Sequence, residues 1–531
     1  MLEVGLPPPE LHEKFAARPH ITVGEMLTLA AERERDKPAF LLPDGSAQSF
    51  EATNGRVNQL VDALRQEGFT RGDRIAVLAL DSHRYMELIL ACMKMGVAYV
   101  PLNYRLMPSE VNTLLVRAQP TAIFIDSRYA GLLQNLRERH PGIRLWLTFD
   151  DPNNEGADYE RFIATGRQIE PDVICDDEDI LALAFTSGTT GLPKGVIQSQ
   201  RMMKSITQSC AVDYLASRDN VRYCAAPTFH ISGVCGLYMG IAVGFTSVLL
   251  PQFDAPSVLD LLANDQLTAA FLVPTMISSL LQLDGVGDHQ YERLELITYG
   301  ASPITPGLLR RALDTFDCDF LQAFGAGTEA GLQSVLTPDD HRRALTSEPK
   351  LLESAGRPSF GVAMRIVDDE MRPLPAGEVG EVATRSDQVM NGYLGLREET
   401  VYALRDGWFR AGDMGYLDKD GYLYLHGRKK DMIIRGGENI YPYEIEAVLS
   451  EHTAVVQSAV VGVPDEHWGE TVRAFVTIAD GSHIDAAQLT EHCQASLAKY
   501  KVPAEFVIID EMPTNASGKI LKRELRIRQV S

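Results

Sequence analysis

Two hydrophobic rhythms alternate along the first two thirds of the chain. Over residues 74–126, nearly uncharged runs of strand length (RIAVLAL, AYVPLN and TAIFID) are separated by HRYMELILACMKMG and MPSEVNTLLVRAQ. The apolar positions of those two separators recur at helical spacing. Strands with so few polar positions are buried on both faces, so the pattern predicts βαβαβ and a mostly parallel sheet covered by helices. The same rhythm returns from about 181 to 330, with ILALAF, LTAAFLV and LELITYG as further strands.

From 356 to 425 the texture changes to short strands broken by turn pairs, in PAGEVGEV, RDGWF and DKDGYL. This predicts a β-rich subdomain of hairpins. A segment dense in charge and glycine follows, GRKKDMIIRGGENIYP. Beyond it, EIEAVLSEH and DAAQLTEHCQASLAKY read as helices, and VQSAVVGV, RAFVTI and EFVIID as strands. That is an α+β unit of about 100 residues, a common domain size. The expected fold is therefore α/β. A large N-terminal domain, 1–429, holds two parallel-sheet subdomains and the β-rich one, and a small α+β domain, 430–531, follows.

One stretch, GVCGLYMGIAVGFTSVLL at 233–250, is uncharged over nearly the length of a membrane span. Gly236, Gly240 and Gly244 recur every four residues, and basic flanks are missing. It is read as a buried helix followed by a buried strand, TSVLL, so no integral membrane span is expected. The formal net charge of −22 argues against nucleic-acid and anionic-membrane partners. An anionic substrate must then be met by a local positive patch. Seven scattered cysteines, odd in number and without metal-ligand spacing, fit a reducing cytosol better than a disulfide framework or a zinc site. The first residues show no secretory pattern and the last no lipidation or retention signal, so the expected location is the cytoplasm.

The densest candidate chemistry is TSGTTGLPKGV at 186–196. ILALAF precedes it, and IQSQRMM after it begins to look helical, a strand–loop–helix setting that suits an anion. It is not a Walker A loop, because Lys194 follows GLP and no Ser or Thr comes next. Gly188, Gly191 and Gly195 nevertheless free the backbone to wrap phosphates. Thr186, Ser187, Thr189 and Thr190 offer hydroxyls, and Lys194 offers charge. A surface turn of small polar residues has similar ingredients.

The whole string closely resembles the signature loop of the adenylate-forming superfamily, which includes acyl-CoA synthetases, peptide-synthetase adenylation domains and firefly luciferase. The resemblance runs from about residue 72 to 526. PTFHISG at 227–233 is similar to the aromatic–His segment of the acyl pocket and implies a role there for His230. Amino-acid-activating members commonly carry Asp at that position, so His implies a plain carboxylic acid. YGASP at 299–303 resembles the loop along the adenine, implying Gly300, Ala301 and Ser302. QAFGAGTEAG at 322–331 resembles the Gln-x-aromatic-Gly-x-Thr-Glu motif. It implies Gln322, Phe324 and Gly325 at the adenine, Thr328 in catalysis, and Glu329 as the Mg²⁺ ligand. Two residues, Ala326 and Gly327, stand where one is typical, which implies a reshaped pocket floor. DGWFRAGDMGYLD and GRKKD resemble the ribose segments, implying Asp413 and Arg428 at the ribose and Lys430 as the hinge. PTNASGKILKRELR resembles the catalytic-lysine segment and implies Lys519. RGGENIYP implies Gly436, Gly437 and Asn439 beside a pantetheine tunnel.

The resemblance implies ATP, Mg²⁺ and coenzyme A as cofactors and a small-molecule carboxylic acid as partner, in a monomer or homodimer. A carboxylate is a poor electrophile, and converting it to acyl-AMP supplies a good leaving group. Two anions must meet, so cations and donors have to be in place beforehand. In the family, Lys519 would bridge the carboxylate and the α-phosphate, and a mobile C-terminal lid would then rotate for thiol transfer. The lining around His230 (Val234, Cys235, Gly236, Ala301 and Gly327) is small and apolar, and no arginine is evident to receive a second carboxylate. That implies an acyl-CoA synthetase for a medium-sized fatty, aromatic or alicyclic monocarboxylic acid. Alternatives are an acyl-AMP ligase loading a separate carrier protein, a luciferase-like oxygenase, and a non-catalytic nucleotide-binding protein.

Overall fold

Two mainly parallel sheets form the body of the N-terminal part. The computed structural model describes residues 21–150, 158–172, 175–186, 193–301, 304, 306–465, 467–479, 481–514 and 520–528. Among them the strands make four sheets. In the first parallel sheet Ile180–Thr186, Ala98–Pro101, Arg74–Leu78, Ala122–Ile125 and Leu145–Thr148 run side by side. Lys194–Ser199 and Gly392–Tyr393 add two antiparallel strands at one edge. The second has Asp319–Phe324, Leu296–Gly300, Ala269–Leu272, Val221–Cys224, Thr246–Val248 and Pro38–Leu41 in parallel, with antiparallel strands at both edges. The strands foreseen at 74–126 and 267–300 are all present.

Helices between the two sheets share one apolar core with both. The helix His83–Met95 starts where the Ser82 side chain accepts the Tyr85 N–H, and it is buried from residue 85 to 95. Its two buried charges are matched: Glu87 binds Arg56, Tyr159 and Gln48, while Lys94 binds Glu170, Asn54, Asn58 and Thr28. Such partners offset the cost of taking these charges out of water. The uncharged stretch at 233–250 divides into the helix Ile231–Val243 and the strand Thr246–Val248. At ~1.5 Å per residue such a helix is about 20 Å long, short of a bilayer. Among the described residues no helix is long and apolar enough to cross a membrane. All seven cysteines are free thiols.

The β-rich part is an antiparallel sheet of Ala363–Val367, Gly380–Arg385, Trp408–Leu417, Leu404–Arg405 and Leu423–Arg428. The C-terminal part is α+β. Val455–Asp465 and Gly469–Ile478 pair antiparallel, and Glu505–Ile508 lies parallel beside the latter. Alternation splits their side chains between two small cores. Val460, Val472, Ala474 and Val476 pack with Ile445 and Leu489 from two helices. Ala459, Val461 and Phe475 pack with Leu525 from the last helix.

Candidate active site

The hydroxyl- and glycine-rich segment joins two antiparallel strands, with Thr186 opposite Lys194. The residues after it, expected to lead straight into a helix, first run as the strand Lys194–Ser199. The β-branched pair Val196–Ile197 suits a strand. The helix Gln200–Asp213 begins where Ser199 caps Met202. Thr186, Lys194 and Gly195 are described, whereas Ser187, Gly188, Thr189, Thr190 and Gly191 lie outside the described residues, as do Ser302 and Lys519.

Pairing of Gly392–Tyr393 with this strand puts Tyr393 opposite Val196. Lys194 Nζ sits 4.8 Å from the centroid of the Tyr393 ring, a cation–π contact. The Tyr393 hydroxyl donates to Glu329 Oε1 at 3.4 Å. One phenol therefore links the loop lysine to the acidic residue of the Thr-Glu pair. Burial, and then the Glu329 charge, raise the Tyr393 phenol above its ordinary range, so it stays a neutral donor.

The Thr-Glu pair rides on a tight loop after the strand Asp319–Phe324. Gly325 approaches the Gly331 carbonyl so closely that a Cβ would lie 2.1 Å from its oxygen. The Gly331 N–H donates to the Gly327 carbonyl at 2.8 Å, so the additional residue is taken up within the turn. Neighbours hold the loop from outside. Gln198 Nε2 donates to the Thr328 carbonyl at 2.9 Å, and the Met390 N–H to the Glu329 carbonyl at 2.8 Å. Gln388 Oε1 accepts the Leu332 N–H at 2.9 Å. Gln198, Gln388 and Tyr393 escaped the sequence reading; the available signal was polar side chains inside apolar stretches, VIQS and DQVMNGYLG. Among the described residues no group of three Asp, Glu, His or Cys side chains could hold a metal. Glu329 would suit Mg²⁺ as a single carboxylate ligand, and the remaining oxygens that a hard cation requires would have to come from phosphate and water.

A cavity of about 200 Å³ lies against the nine-stranded sheet, bounded by the helices Gln200–Asp213 and Ile231–Val243. Cys235, Gly236, Ala301 and Gly327 line it as expected, together with Phe324 and Gly325. Val234 does not; it is 1% exposed and turned into the core. His230 is not among the lining residues either. It is the N-cap of the helix Ile231–Val243, with its ring 4.5 Å from that of Phe229. Ala301, directly after the strand Leu296–Gly300, has φ +68°, a left-handed conformation strained for a residue with a Cβ. Gln322 pairs in register with Tyr299, whose hydroxyl donates to Gln322 Oε1 at 3.4 Å. Burial pushes the Cys224 thiol up to about 12, so this wall residue stays protonated.

Two charged residues interrupt the apolar lining, Asp81 and Arg222. The Asp81 carboxylate accepts the Thr228 N–H at 3.0 Å and its hydroxyl. Burial pushes the carboxyl up to about 6 despite those bonds. Arg222, which the sequence reading also missed, is a lone charge in the run VRYCAAP.

In the β-rich sheet Asp413 and Arg428 stand opposite each other, with Arg428 Nε 2.7 Å from Asp413 Oδ1. Arg428 Nη1 donates to the Ala411 carbonyl at 3.1 Å. The chain then passes through a short 3₁₀ turn, Lys429–Asp431. The Lys429 ammonium bonds Asp369 and Glu381, and the Asp431 carboxylate accepts from Arg526 at 2.9 Å. Lys430 lies between them and lines a small cleft with Arg428. Gly436 and Gly437 connect two antiparallel strands, with φ +60° and +88°. A two-residue hairpin of this kind needs positive φ at both positions, hence glycine. Asn439 is exposed on the following strand, Glu438–Ile440.

The sequence profile of the AMP-binding enzyme family matches residues 27–394, and that of the AMP-binding enzyme C-terminal domain matches 444–519. The chain is 35% identical to the fatty acid–[acyl-carrier-protein] ligase ScoC of Streptomyces coeruleorubidus, over 96% of each protein. It is 32% identical to the indoleacetate–CoA ligase of Aromatoleum aromaticum, over 95% of this chain and 97% of that one. Its fold is similar to the crystal structure of ATP-bound MatB from Rhodopseudomonas palustris, with a TM-score of 0.87, 27% identity, and 95% and 98% of the two chains covered. ATP and Mg²⁺ binding is typical of these ligases. Both profiles together span most of the sequence, and the chain belongs to the AMP-binding enzyme family of the adenylate-forming superfamily, whose members are acyl-adenylate-forming ligases.

Proposed function

We propose that this ligase is an acyl-CoA synthetase for a medium-sized acid with an apolar body. The observation that carries the reading is the Lys194–Tyr393–Glu329 cluster, together with an acyl-sized apolar cavity bordered by Phe324 and Gly325 of the same Thr-Glu loop. A carboxylate oxygen of the acid attacks the α-phosphorus of ATP, and the bond to pyrophosphate breaks. Lys194 and the hydroxyl-rich loop neutralise the departing pyrophosphate. Magnesium, held by Glu329 when bound, supplies further positive charge to the phosphates. Asp413 accepts hydrogen bonds from the ribose hydroxyls, with Arg428 orienting its carboxylate. Gln322, Phe324, Gly300 and Ala301 hold the adenine, and His230, at the N-cap position of the helix bordering the acyl cavity, belongs to the acyl site.

In this reading residues 1–429 carry the nucleotide and acyl sites, and 430–531 form a lid that turns about Lys430. Lys519 bridges the two anions in the first step. The Gly436–Gly437 hairpin and Asn439 then face the pantetheine thiol, which attacks the acyl carbonyl and releases AMP. The chain is read as acting in the cytoplasm.

A panel of fatty, aromatic and alicyclic acids, scored by pyrophosphate release with ATP, Mg²⁺ and CoA, tests the reading. Release with at least one acid, with its acyl-CoA as product, is expected; no release with any of them would overturn it. The similarity to an acyl-carrier-protein ligase favours one second reading, transfer to a carrier thiol. Product formation with holo-carrier protein but not with CoA would establish that reading.

A further inference from the structure

The far end of the acyl cavity contains a cation. Arg222 stands second in the strand Val221–Cys224, in register with Ser247 and Ala269 on its two neighbours. Ala269 in turn pairs with Leu296, four residues before Gly300. At about 3.3 Å per residue, Arg222 is roughly 13 Å along the strands from the edge where Phe324 and Ala301 border the cavity. Both it and Ala301 line that one cavity, so the acyl space runs from the nucleotide side to a guanidinium.

This guanidinium is only partly satisfied by the protein. Arg222 is 8% exposed. Its Nε donates to Asn220 Oδ1 at 3.0 Å. Its Nη2 donates to the same oxygen at 2.7 Å and to the carbonyls of Tyr214 and Leu215 at 3.0 and 3.1 Å. These bonds account for a structural role of two nitrogens, tying the strand to the end of the helix Gln200–Asp213. Nη1 has no hydrogen-bond partner among the described residues, and no carboxylate there pairs with the group. The ring of Phe245 lies 5.4 Å away. The direct hydrogen-bond partners of the guanidinium are all neutral; the largest influence of opposite charge is Glu295, which accepts from Asn220 Nδ2 at 3.4 Å and does not bond the guanidinium. Burial lowers the pKa of Arg222 to about 10 even with the Glu295 charge opposing the shift, and a buried cation paired this indirectly gains from a further acceptor.

We propose that Arg222 is a specificity-determining residue and that the acid carries an oxygen acceptor on its far end, which receives Nη1. This rests on the acid-activating reading above and refines its apolar acid at one position. A terminal carbonyl and a second carboxylate share the required chemistry; a terminal methyl group lacks it.

Pyrophosphate release is measured for alkanoic, ω-oxo and α,ω-dicarboxylic acids over a range of matched lengths. At one length, one or both oxygenated series should exceed the plain acid by about 10–100-fold in kcat/KM, the effect of one charge-assisted hydrogen bond. The series with the larger gain identifies the oxygen source. Arg222→Met should abolish the preference, and Arg222→Lys should restore part of it. Equal or better use of the plain acid at every length overturns the inference while acid activation stands. A preference that survives in soluble Arg222→Met overturns it as well. If that variant does not fold, the wild-type length series decides, because a fixed distal donor yields a maximum at one length and its lack yields none. No release with any acid in the panel instead overturns the underlying ligase reading.

Discussion

Arg428 Nε is 2.7 Å from Asp413 Oδ1, and the two residues face each other across an antiparallel strand pair. The ion pair fixes the orientation of the Asp413 carboxylate, the group proposed above to receive the ribose hydroxyls. Asp413→Ala should raise the KM for ATP by about 10–100-fold, the loss of one or two hydrogen bonds to a charged acceptor. Arg428→Lys should produce a smaller rise, since lysine lacks the fork that reaches both Asp413 and the Ala411 carbonyl. Initial rates of pyrophosphate release against ATP concentration check both. An unchanged KM in Asp413→Ala would remove this residue from the nucleotide site.

Tyr393 separates two effects within one side chain. Tyr393→Phe keeps the ring beneath Lys194 and deletes the hydroxyl on Glu329. A loss of about 2–10-fold in rate is expected: the acceptor is charged, but at 3.4 Å the bond is long and worth less than a short charge-assisted one. Glu329→Gln and Lys194→Ala should each cost about 10²–10³, as for an electrostatic anchor of a transition state. Magnesium titrations of the rate distinguish them. Only the Glu329 change should shift the midpoint strongly, and a shift of equal size in Lys194→Ala would contradict the assignment.

Lys519 and Lys430 are expected to fail in opposite half-reactions. Lys519→Ala should lower adenylate formation about 10²–10³-fold and spare thioester formation from supplied acyl-adenylate. Lys430→Pro, which locks φ at the turn, should spare adenylation and slow thioester formation. Single-turnover assays of each half-reaction provide the readout. Equal losses in both steps for Lys519→Ala would rule out a rotating lid here.

Asp81 makes a prediction about pH. Its carboxyl is pushed up to about 6 by burial, above the usual aspartate value near 4. Ionising it in the folded protein therefore opposes folding. That cost is absent below about pH 4, grows between pH 4 and 6, and is complete above. Asp81→Asn retains an acceptor for Thr228 without the charge. Wild type should lose about 1–3 kcal/mol relative to the variant as pH rises through this window. Urea midpoints at both ends would show it, and a constant gap would mean that Asp81 titrates alike in the folded and unfolded chain.

The fold was legible wherever one physical signal dominated. The strands at 74–126 have apolar runs that only a doubly covered sheet can bury, and the helix His83–Met95 shows its period plainly. The path after the phosphate-type loop was misjudged because KGVIQSQRMM mixes strand and helix preferences. Pairing with Ile180–Thr186 and Gly392–Tyr393, which no local pattern reveals, decides for strand up to Ser199. Lys194, Glu329, Asp413 and Arg428 stand out in the sequence through long motifs, and the structure brings Lys194 and Glu329 to one tyrosine and Arg428 to Asp413. Tyr393, Gln198 and Arg222 do not stand out, because their roles come from side chains meeting across different strands and loops. Val234 illustrates the reverse error: closeness to His230 in sequence suggested a cavity wall, but helix geometry points it into the core.

The turn at Lys429–Asp431 is pinned on both flanks. Lys429 is fastened to Asp369 and Glu381 of the β-rich sheet, and Asp431 to Arg526 of the last helix. In the rotation proposed above, each anchor would travel with its own body. The torsion would then concentrate in the few backbone bonds around a single residue, and Lys430 would act as an axle rather than part of a slack tether. Lengthening the connector on either side by one or two glycines, with both ion pairs intact, would uncouple the angle of the swing from the chemistry it is meant to time.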